Sequence, residues 1–514
     1  MPPSPSNRPP GAQPPLRERG DACPGALRPH AAADGALARV RVPAGELTAR
    51  QAMALADAAE RFGDGELSLT SRGNVELRGL GDGCGDDLAA LLADAGLLPS
   101  VRHERVRNLI ASPLAGIDGR APADVRRWAR ELDELLCGQE WTARLSGRFL
   151  FVLDDGRGDV AGLGGDVTLV AEAAEAVAEV AEIAEVFAEA AEVAEVAEVA
   201  EPGASALLFL GGPGGPGGPG GSGGPGGSGG PGDPGGPDSP DSPDSPDDGV
   251  GPALRIPAAH AARAALAAAR VFLDAVDASG SGAWRFRDLP GGAAPTVRAV
   301  GERLRADGIS AVYVPPGDVP ARPERGAPTP APGLVEGPGG RRALSVPAPL
   351  GRLTGAQWRL LARTAAEGDG TLRLTPWRGV LVPGLSAPVA AARLRECADA
   401  GLVTDADSPW HRLGACTGRP GCAKSLTDVR ADASAVATAL GRATALPVQW
   451  SGCARRCGHP HGTWIDVLAT DGGYDVSVVR PGAPPEPLAA GATVRQVADA
   501  VAPGMPPAAP GTTP

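Results

Sequence analysis

Residues 66–80, ELSLTSRGNVELRGL, and residues 371–385, TLRLTPWRGVLVPGL, set the plan of the chain. Each alternates apolar and polar positions in the manner of a half-buried strand. Around the first, LARVRVP (37–43) reads as a strand, ARQAMALADAAERFG (49–63) has helical spacing, and DDLAALLADAGLL (86–98) is a second helix stopped at Gly96. Around the second, ALSVPAP (343–349), AQWRLLARTAAEG (356–368) and AARLRECADAGLV (391–403) repeat that order. Thr70 matches Thr375, Leu80 matches Leu385 and Gly96-Leu97 matches Gly401-Leu402, all at an offset of 305. The chain is therefore an internal duplication.

Carried further, the offset sets Arg107 on Arg412 and Cys416 opposite Ala111. Four of the eight cysteines, Cys416, Cys422, Cys453 and Cys457, lie in CTGRPGC and CARRC, a Cys-x5-Cys followed by a Cys-x3-Cys. Zinc knuckles favour two to four residues between paired cysteines, whereas a wider loop suits the corners of an iron-sulfur cubane. Gly418, Pro420, Gly421, Gly452 and Gly458 keep the surroundings small, so that backbone N–H groups can approach cluster sulfurs. A zinc site and four buried structural thiols are the other readings of the same pattern. One copy thus carries thiolates where the other carries none, which suggests a site at their interface with redox chemistry supplied from one side.

The 514 residues exceed one ordinary core, but much of that length is low-complexity. No run of eighteen apolar residues suggests a membrane span. The opening MPPSPSNRPPGAQPPLRERG lacks the apolar region of a secretory signal, and a cytoplasmic protein with reduced thiols is expected. The formal charge of −13 is uneven, since the stretch from Gly158 to Pro252 holds 18 acids and no Lys or Arg. The remainder carries 48 basic against 43 acidic residues, a balance that permits an anionic ligand. Lys424 is the only lysine, so arginine is a compositional habit here.

From Asp166 to about Gly251 an Ala-Glu-Val run gives way to Gly-Gly-Pro and Asp-Ser-Pro repeats, read as a passive acidic linker. The expected organisation is a disordered tail (1–19), a half-domain (20–100) and a larger domain (101–314) interrupted by an insert at 166–250. A linker (315–342), a second half-domain (343–405), a cysteine domain (406–500) and a tail (501–514) follow.

In TSRGNVELRG, alternation along a strand puts Arg72, Asn74, Glu76 and Arg78 on one face. Two guanidinium forks and an amide there can hold carboxylates. Arg107, Asn108 and Arg148 are candidates to join them, with Arg378 in the sister motif. His459 and His461 follow the last cysteine in CGHPHG and are candidate iron ligands or hydrogen-bond donors; His103, His411, Asp154 and Asp155 are weaker candidates. No phosphate-cradling Gly-rich motif stands between a strand and a helix, so electrons are expected from a separate reductase or carrier. Cys23, Cys84, Cys137 and Cys397 read as ordinary thiols.

The duplicated unit, TSRGN, RNLIASPLAG and the cysteine set together resemble the sulfite and nitrite reductase superfamily. Within it, ACPGALRP (22–29), TSRGNVELRGL, RNLIASPLAGID (107–118), FVLDDGRGD (151–159) and SGCARRCGHPHG (451–462) most resemble the precorrin-3B synthase family of aerobic cobalamin biosynthesis. The resemblance implies an α+β fold, with two ferredoxin-like half-domains and two larger α+β domains about a pseudo-twofold axis. It implies a [4Fe-4S] cluster on Cys416, Cys422, Cys453 and Cys457, and a mononuclear non-haem iron near His459. It also implies an oxygen-dependent monooxygenation of precorrin-3A, with hydroxylation at C20 and a γ-lactone from the ring A acetate. The substrate is a polycarboxylated tetrapyrrole, which Arg72, Asn74, Arg78, Arg107, Asn108 and Arg148 would orient. Nucleic acid and membrane are not expected partners.

A further basic residue that often follows in the reductases is replaced by Phe149-Leu150-Phe151, which argues against sulfite or nitrite reduction. A sirohaem-dependent sulfite or nitrite reductase is the second reading. A non-catalytic iron-sulfur or zinc scaffold, docking through its acidic insert, is the third.

Overall fold

The computed structural model describes residues 25–172, 204–211, 251–319, 330–460 and 462–502. The two halves of the duplication begin their first helices alike. Thr48 caps Ala49–Phe62 by accepting from the Gln51 N–H while the Gln51 side chain accepts from the Thr48 N–H. Thr354 and Gln357 repeat this box before Gly355–Glu367. The two helices pack on each other in one shared core, where wholly buried Trp358 donates its Nε1–H to the Ala52 carbonyl at 2.6 Å. Truncating such a ring to Ala costs on the order of 3–5 kcal/mol.

Each stretch quoted at the outset is a hairpin, where the alternation suggests one strand. Glu66–Leu69 and Val75–Leu80 flank one turn, and Thr371–Leu374 and Gly379–Leu385 flank the other. Gly73 (φ 64°) and Arg378 (φ 58°) hold equivalent left-handed positions in the two turns. Thr70 Oγ1 closes its turn by accepting from the N–H of Asn74 at 3.1 Å. Arg72 and Asn74 therefore sit in a turn, and only Glu76 and Arg78 share a strand face.

The half-domain sheets also exchange a strand. The first runs His30–Ala32, Gly35–Val40, Val75–Leu80, Glu66–Leu69 and then Arg352–Thr354 from the other half. The second runs Gly333–Glu336, Arg342–Pro347, Gly379–Leu385, Thr371–Leu374 and then Glu46–Thr48. Gly333–Glu336, placed in the expected 315–342 linker, is thus an edge strand.

The larger sheets share one topology. One orders Leu413–Ala415, Val448–Ser451, Trp464–Thr470, Gly473–Val479 and Glu486–Ala492. The other orders Leu109–Ala111, Phe151–Asp154, Val167–Ala171, Ser205–Leu210 and Ala253–Pro257, and adds Val312–Val314 at its edge. In both, the first three strands are parallel and the next pairings antiparallel. Phe149, Phe151, Phe272 and Phe286 pack the core of the six-stranded half with neighbouring ring centroids 4.9–6.0 Å apart.

The 166–250 stretch is not one insert. Val167–Ala171 and Ser205–Leu210 inside it are core strands paired with each other, so low-complexity sequence occupies two hairpin connections. Asp166 is buried against Arg285 (2.9 Å) and Glu172 against Arg255 (2.8 Å), so both acids belong to the folded body. The remaining repeats, residues 1–19 and 503–514 of the expected tails, Cys23 and His461 lie outside the described residues. No helix among the described residues is long and apolar enough to cross a membrane.

Candidate functional site

The four cysteines are brought together by two adjacent parallel strands. Cys416 follows Leu413–Ala415, while Cys453 and Cys457 follow Val448–Ser451; Cys422 returns on the loop that Cys416 opens. The N–H of Cys416 donates to the Trp450 carbonyl (2.9 Å) and that of Cys422 to the Gly418 carbonyl (2.8 Å). The Gly452 N–H points at Cys416 Sγ, 3.3 Å away. All four thiols are half-buried, and none forms a disulfide. Burial raises the Cys416 pKa, and the nearby Cys453 thiol adds to the rise; the Gly452 and Gly418 N–H groups and Arg430 oppose it.

The loops leave no room for larger residues at two glycines. A Cβ at Gly452 would lie 1.8 Å from Ser425 Oγ, and one at Gly458 (φ 77°) would lie 2.3 Å from Arg378 Nη2. Among the described residues, the group of three potential metal ligands within 4.8 Å of one another is Asp154, Asp155 and Asp159, and no trio of these thiols. A tetrahedral zinc with bonds of about 2.3 Å would draw its sulfurs to about 3.8 Å. Four thiolates on these two loops can hold either a tetrahedral zinc or an iron-sulfur cluster.

Charge fits an anionic group as well. Arg430 donates to the carbonyls of Cys416 (3.1 Å) and Leu350 (3.2 Å), with no carboxylate partner among the described residues. Burial, then repulsion from Arg352 and Arg378, push its pKa down to about 10, with Arg78 adding to the fall and Cys416 opposing it. A cluster held by four thiolates carries net negative charge and would relieve that repulsion.

His459 lies beside the last cysteine, stacked on Trp464 with centroids 5.2 Å apart. Its Nδ1 is 3.0 Å from the Pro460 carbonyl, to which Nδ1–H donates. Asp466, on the Trp464 strand, accepts from Arg456 Nε at 2.6 Å through Oδ2, and its buried Oδ1 has no partner. Burial raises the Asp466 pKa against the pull of Arg456 and His459.

The first half repeats this site in other chemistry, without thiols at the matching positions. Ser112 follows Leu109–Ala111 as Cys416 follows Leu413–Ala415; the Asp155 N–H donates to Ser112 Oγ (3.0 Å) as that of Gly452 does to Cys416 Sγ. The N–H of Ser112 donates to the Leu153 carbonyl (3.0 Å) as that of Cys416 does to Trp450. The counterpart of Cys416 is thus Ser112, one residue beyond the Ala111 expected from the sequence offset. Ser112 Oγ donates to Asp159 Oδ1 (2.6 Å), and four backbone N–H groups, from Gly156, Gly158, Val160 and Ala161, satisfy Asp154. Burial, then the charge of Asp154, raises the Asp159 pKa to about 7; Ser112 and Arg157 oppose the shift and Asp155 adds to it.

The arginine set divides. Arg107 is bidentate to Asp133 (2.7 and 2.6 Å) and donates to the Leu97 carbonyl, so it is an internal brace instead of a ligand fork. Asn108 is wholly buried, accepting from Arg41 (2.9 Å) and donating to the Phe149 carbonyl, so it too is an internal brace. Arg78 forks onto Asp34 and donates to the Gly421 carbonyl (2.9 Å), joining the first half-domain to the cysteine loop.

Asn74 accepts from the Val42 N–H (3.0 Å) through Oδ1, and Arg41 Nη2 donates to the Gly147 carbonyl (2.9 Å), which ties the Arg72 turn to the segment bearing Arg148. Arg72 and Arg148 are both half-buried. Arg148 lies over the Trp284 ring, 5.0 Å from its centroid. Arg430, Asp466, Ser112, Asp159 and Trp284 were not singled out from sequence. Of these, Ser112 and Asp159 stood in the readable RNLIASPLAGID and FVLDDGRGD, whereas the others lay outside the quoted functional motifs.

The nitrite/sulfite reductase ferredoxin-like half domain family matches residues 29–95 and 335–400. The chain is 38% identical over 138 residues to a precorrin-3B synthase from Sinorhizobium sp, covering 27% of this chain and 29% of that protein. It is 37% identical over 101 residues to a ferredoxin–nitrite reductase from Leptolyngbya laminosa, covering 19% of this chain and 20% of that protein. Each match thus spans under a third of the curated relative. The solved structure of the Mycobacterium tuberculosis NirA protein superposes with a TM-score of 0.63 at 17% identity, over 90% of this chain and 79% of that one. The α+β fold with two ferredoxin-like half-domains is therefore the one expected from the motifs.

Proposed function

We propose, for a chain built on a tandem pair of nitrite/sulfite reductase ferredoxin-like half-domains, that it is a precorrin-3B synthase. One oxygen atom of O2 enters precorrin-3A at C20, and the ring A acetate closes the γ-lactone. The other oxygen leaves as water with two protons and two electrons from an external donor. The observation that carries this reading is the 38% identity to a precorrin-3B synthase, in a chain that keeps four paired cysteines.

Cys416, Cys422, Cys453 and Cys457 would hold the cluster, with the Gly452 N–H on the first sulfur and Arg430 balancing its charge. His459 Nε2 and Asp466 Oδ1 would hold the iron. When bound, such a cluster supplies single electrons and a non-haem iron supplies the activation of O2. Arg148 and Arg72 orient the carboxylates of the macrocycle, with Asn74 fixing the turn that carries Arg72. Arg78 acts one step removed, holding the cysteine loop through Gly421.

The second reading, a sirohaem-dependent nitrite reductase, draws on the 37% identity to a ferredoxin–nitrite reductase. Against it stands Phe149, fully buried among Phe151, Phe272 and Phe286 where the reductases often place a further basic residue. Purified under anaerobic conditions and given precorrin-3A, O2 and a reductant, the protein should yield the hydroxylactone. A sirohaem Soret band with turnover of nitrite, and no hydroxylactone, would replace this reading with the second.

A further inference from the structure

Arg148 differs from the other arginines of the predicted set. Arg78 and Arg107 are spent on Asp34 and Asp133. The Arg148 backbone N–H donates to Ser146 Oγ (3.1 Å), but its side chain has neither an ion pair nor a hydrogen bond to the described residues. Its buried Nε is without an acceptor, and its guanidinium lies over the Trp284 indole at 5.0 Å.

The two segments that meet here are locked from beneath. Phe149, next to Arg148, packs on Phe286, two residues beyond Trp284, with centroids 6.0 Å apart. Arg285 between them donates to Asp166 Oδ2 at 2.9 Å, and the Trp284 N–H is 3.3 Å from Asp288 Oδ2. The indole therefore has a fixed backbone under it. An aromatic face attracts a guanidinium and keeps it planar without consuming its terminal N–H groups, so the fork stays available for a bidentate carboxylate.

We infer that Trp284 is a positioning residue: its indole is the shelf that holds the Arg148 guanidinium ready for a carboxylate of the polycarboxylated tetrapyrrole. The inference rests on the reading above that such a ligand binds here. Neither the cysteines nor the oxygen chemistry enters it, so it can be tested by binding alone.

The test is titration of the full-length protein with the octacarboxylated porphyrin uroporphyrin, followed by its absorbance and fluorescence. Trp284→Leu keeps an apolar side chain and removes the π-face, and is expected to weaken binding about tenfold, whereas Trp284→Phe stays within about threefold. In an Arg148→Ala background, Trp284→Leu should cause no further loss, which a merely structural role would not produce. Uroporphyrin binding that Trp284→Leu leaves unchanged, that Phe fails to rescue, or that falls again in the Arg148→Ala background, overturns the inference alone. Failure of the unsubstituted protein to bind uroporphyrin overturns the functional reading and the inference together.

Discussion

Arg78, on a strand of the first half-domain, donates to the carbonyl of Gly421 at 2.9 Å, inside the loop between Cys416 and Cys422. Its other contact, the fork onto Asp34, holds the guanidinium at that spot. Arg78→Ala should therefore loosen the cysteine loop as well as cost roughly 1–3 kcal/mol. Iron and acid-labile sulfide per chain should fall after gel filtration, and a variant with full metal content would disconnect Arg78 from the loop.

Gly452→Ala should be harsher at the same site. The added Cβ meets Ser425 Oγ at 1.8 Å, and relief requires moving the N–H that faces Cys416 Sγ. The expected variant is folded by circular dichroism but lacks the visible absorption of an iron-sulfur cluster. Retention of that band would show that the loop has slack.

The carboxyl of Asp159 ionises near its ordinary 3.8 when unfolded and at about 7 when folded. Between those values the native state holds the extra proton, so stability is fullest below the unfolded pKa and is lost as pH rises through about 7. Asp159→Asn keeps an acceptor for Ser112 and removes the charge. Its melting temperature should exceed that of the parent at pH 8 and converge with it near pH 5, by calorimetry at both values. Parallel pH profiles would contradict the shift.

Much of this architecture was legible because duplication writes the same periodicity twice, and paired cysteines have few other uses. The strand alternation concealed the turns at Gly73 and Arg378, since hairpin arms and a single strand share a period of two. SALLFL (205–210) was masked by flanking repeats, although a short apolar run between turn residues is itself a strand signal. The exchange of Glu46–Thr48 for Arg352–Thr354 leaves no local trace, because three-residue strands take their identity from their neighbours. Arg107 and Asn108 misled for a related reason: a motif says that a fork exists but not whether Asp133 or Arg41 occupies it.

Arg107→Ala accordingly tests an assignment the structure reversed. Loss of the buried Asp133 pair should cost about 3 kcal/mol, visible as a lower denaturant midpoint. Uroporphyrin affinity should stay within about twofold, while Arg148→Ala loses tenfold or more. A tetrapyrrole-binding defect in the stable fraction of Arg107→Ala would return it to the ligand-holding set.

The most direct measurement is incubation of the reconstituted protein with precorrin-3A and a reductant under 18O2, followed by mass spectrometry of the product. The expected result is a hydroxylactone that carries one labelled oxygen at C20. An unlabelled tetrapyrrole, from a preparation that instead shows sirohaem and reduces nitrite, would contradict the assignment.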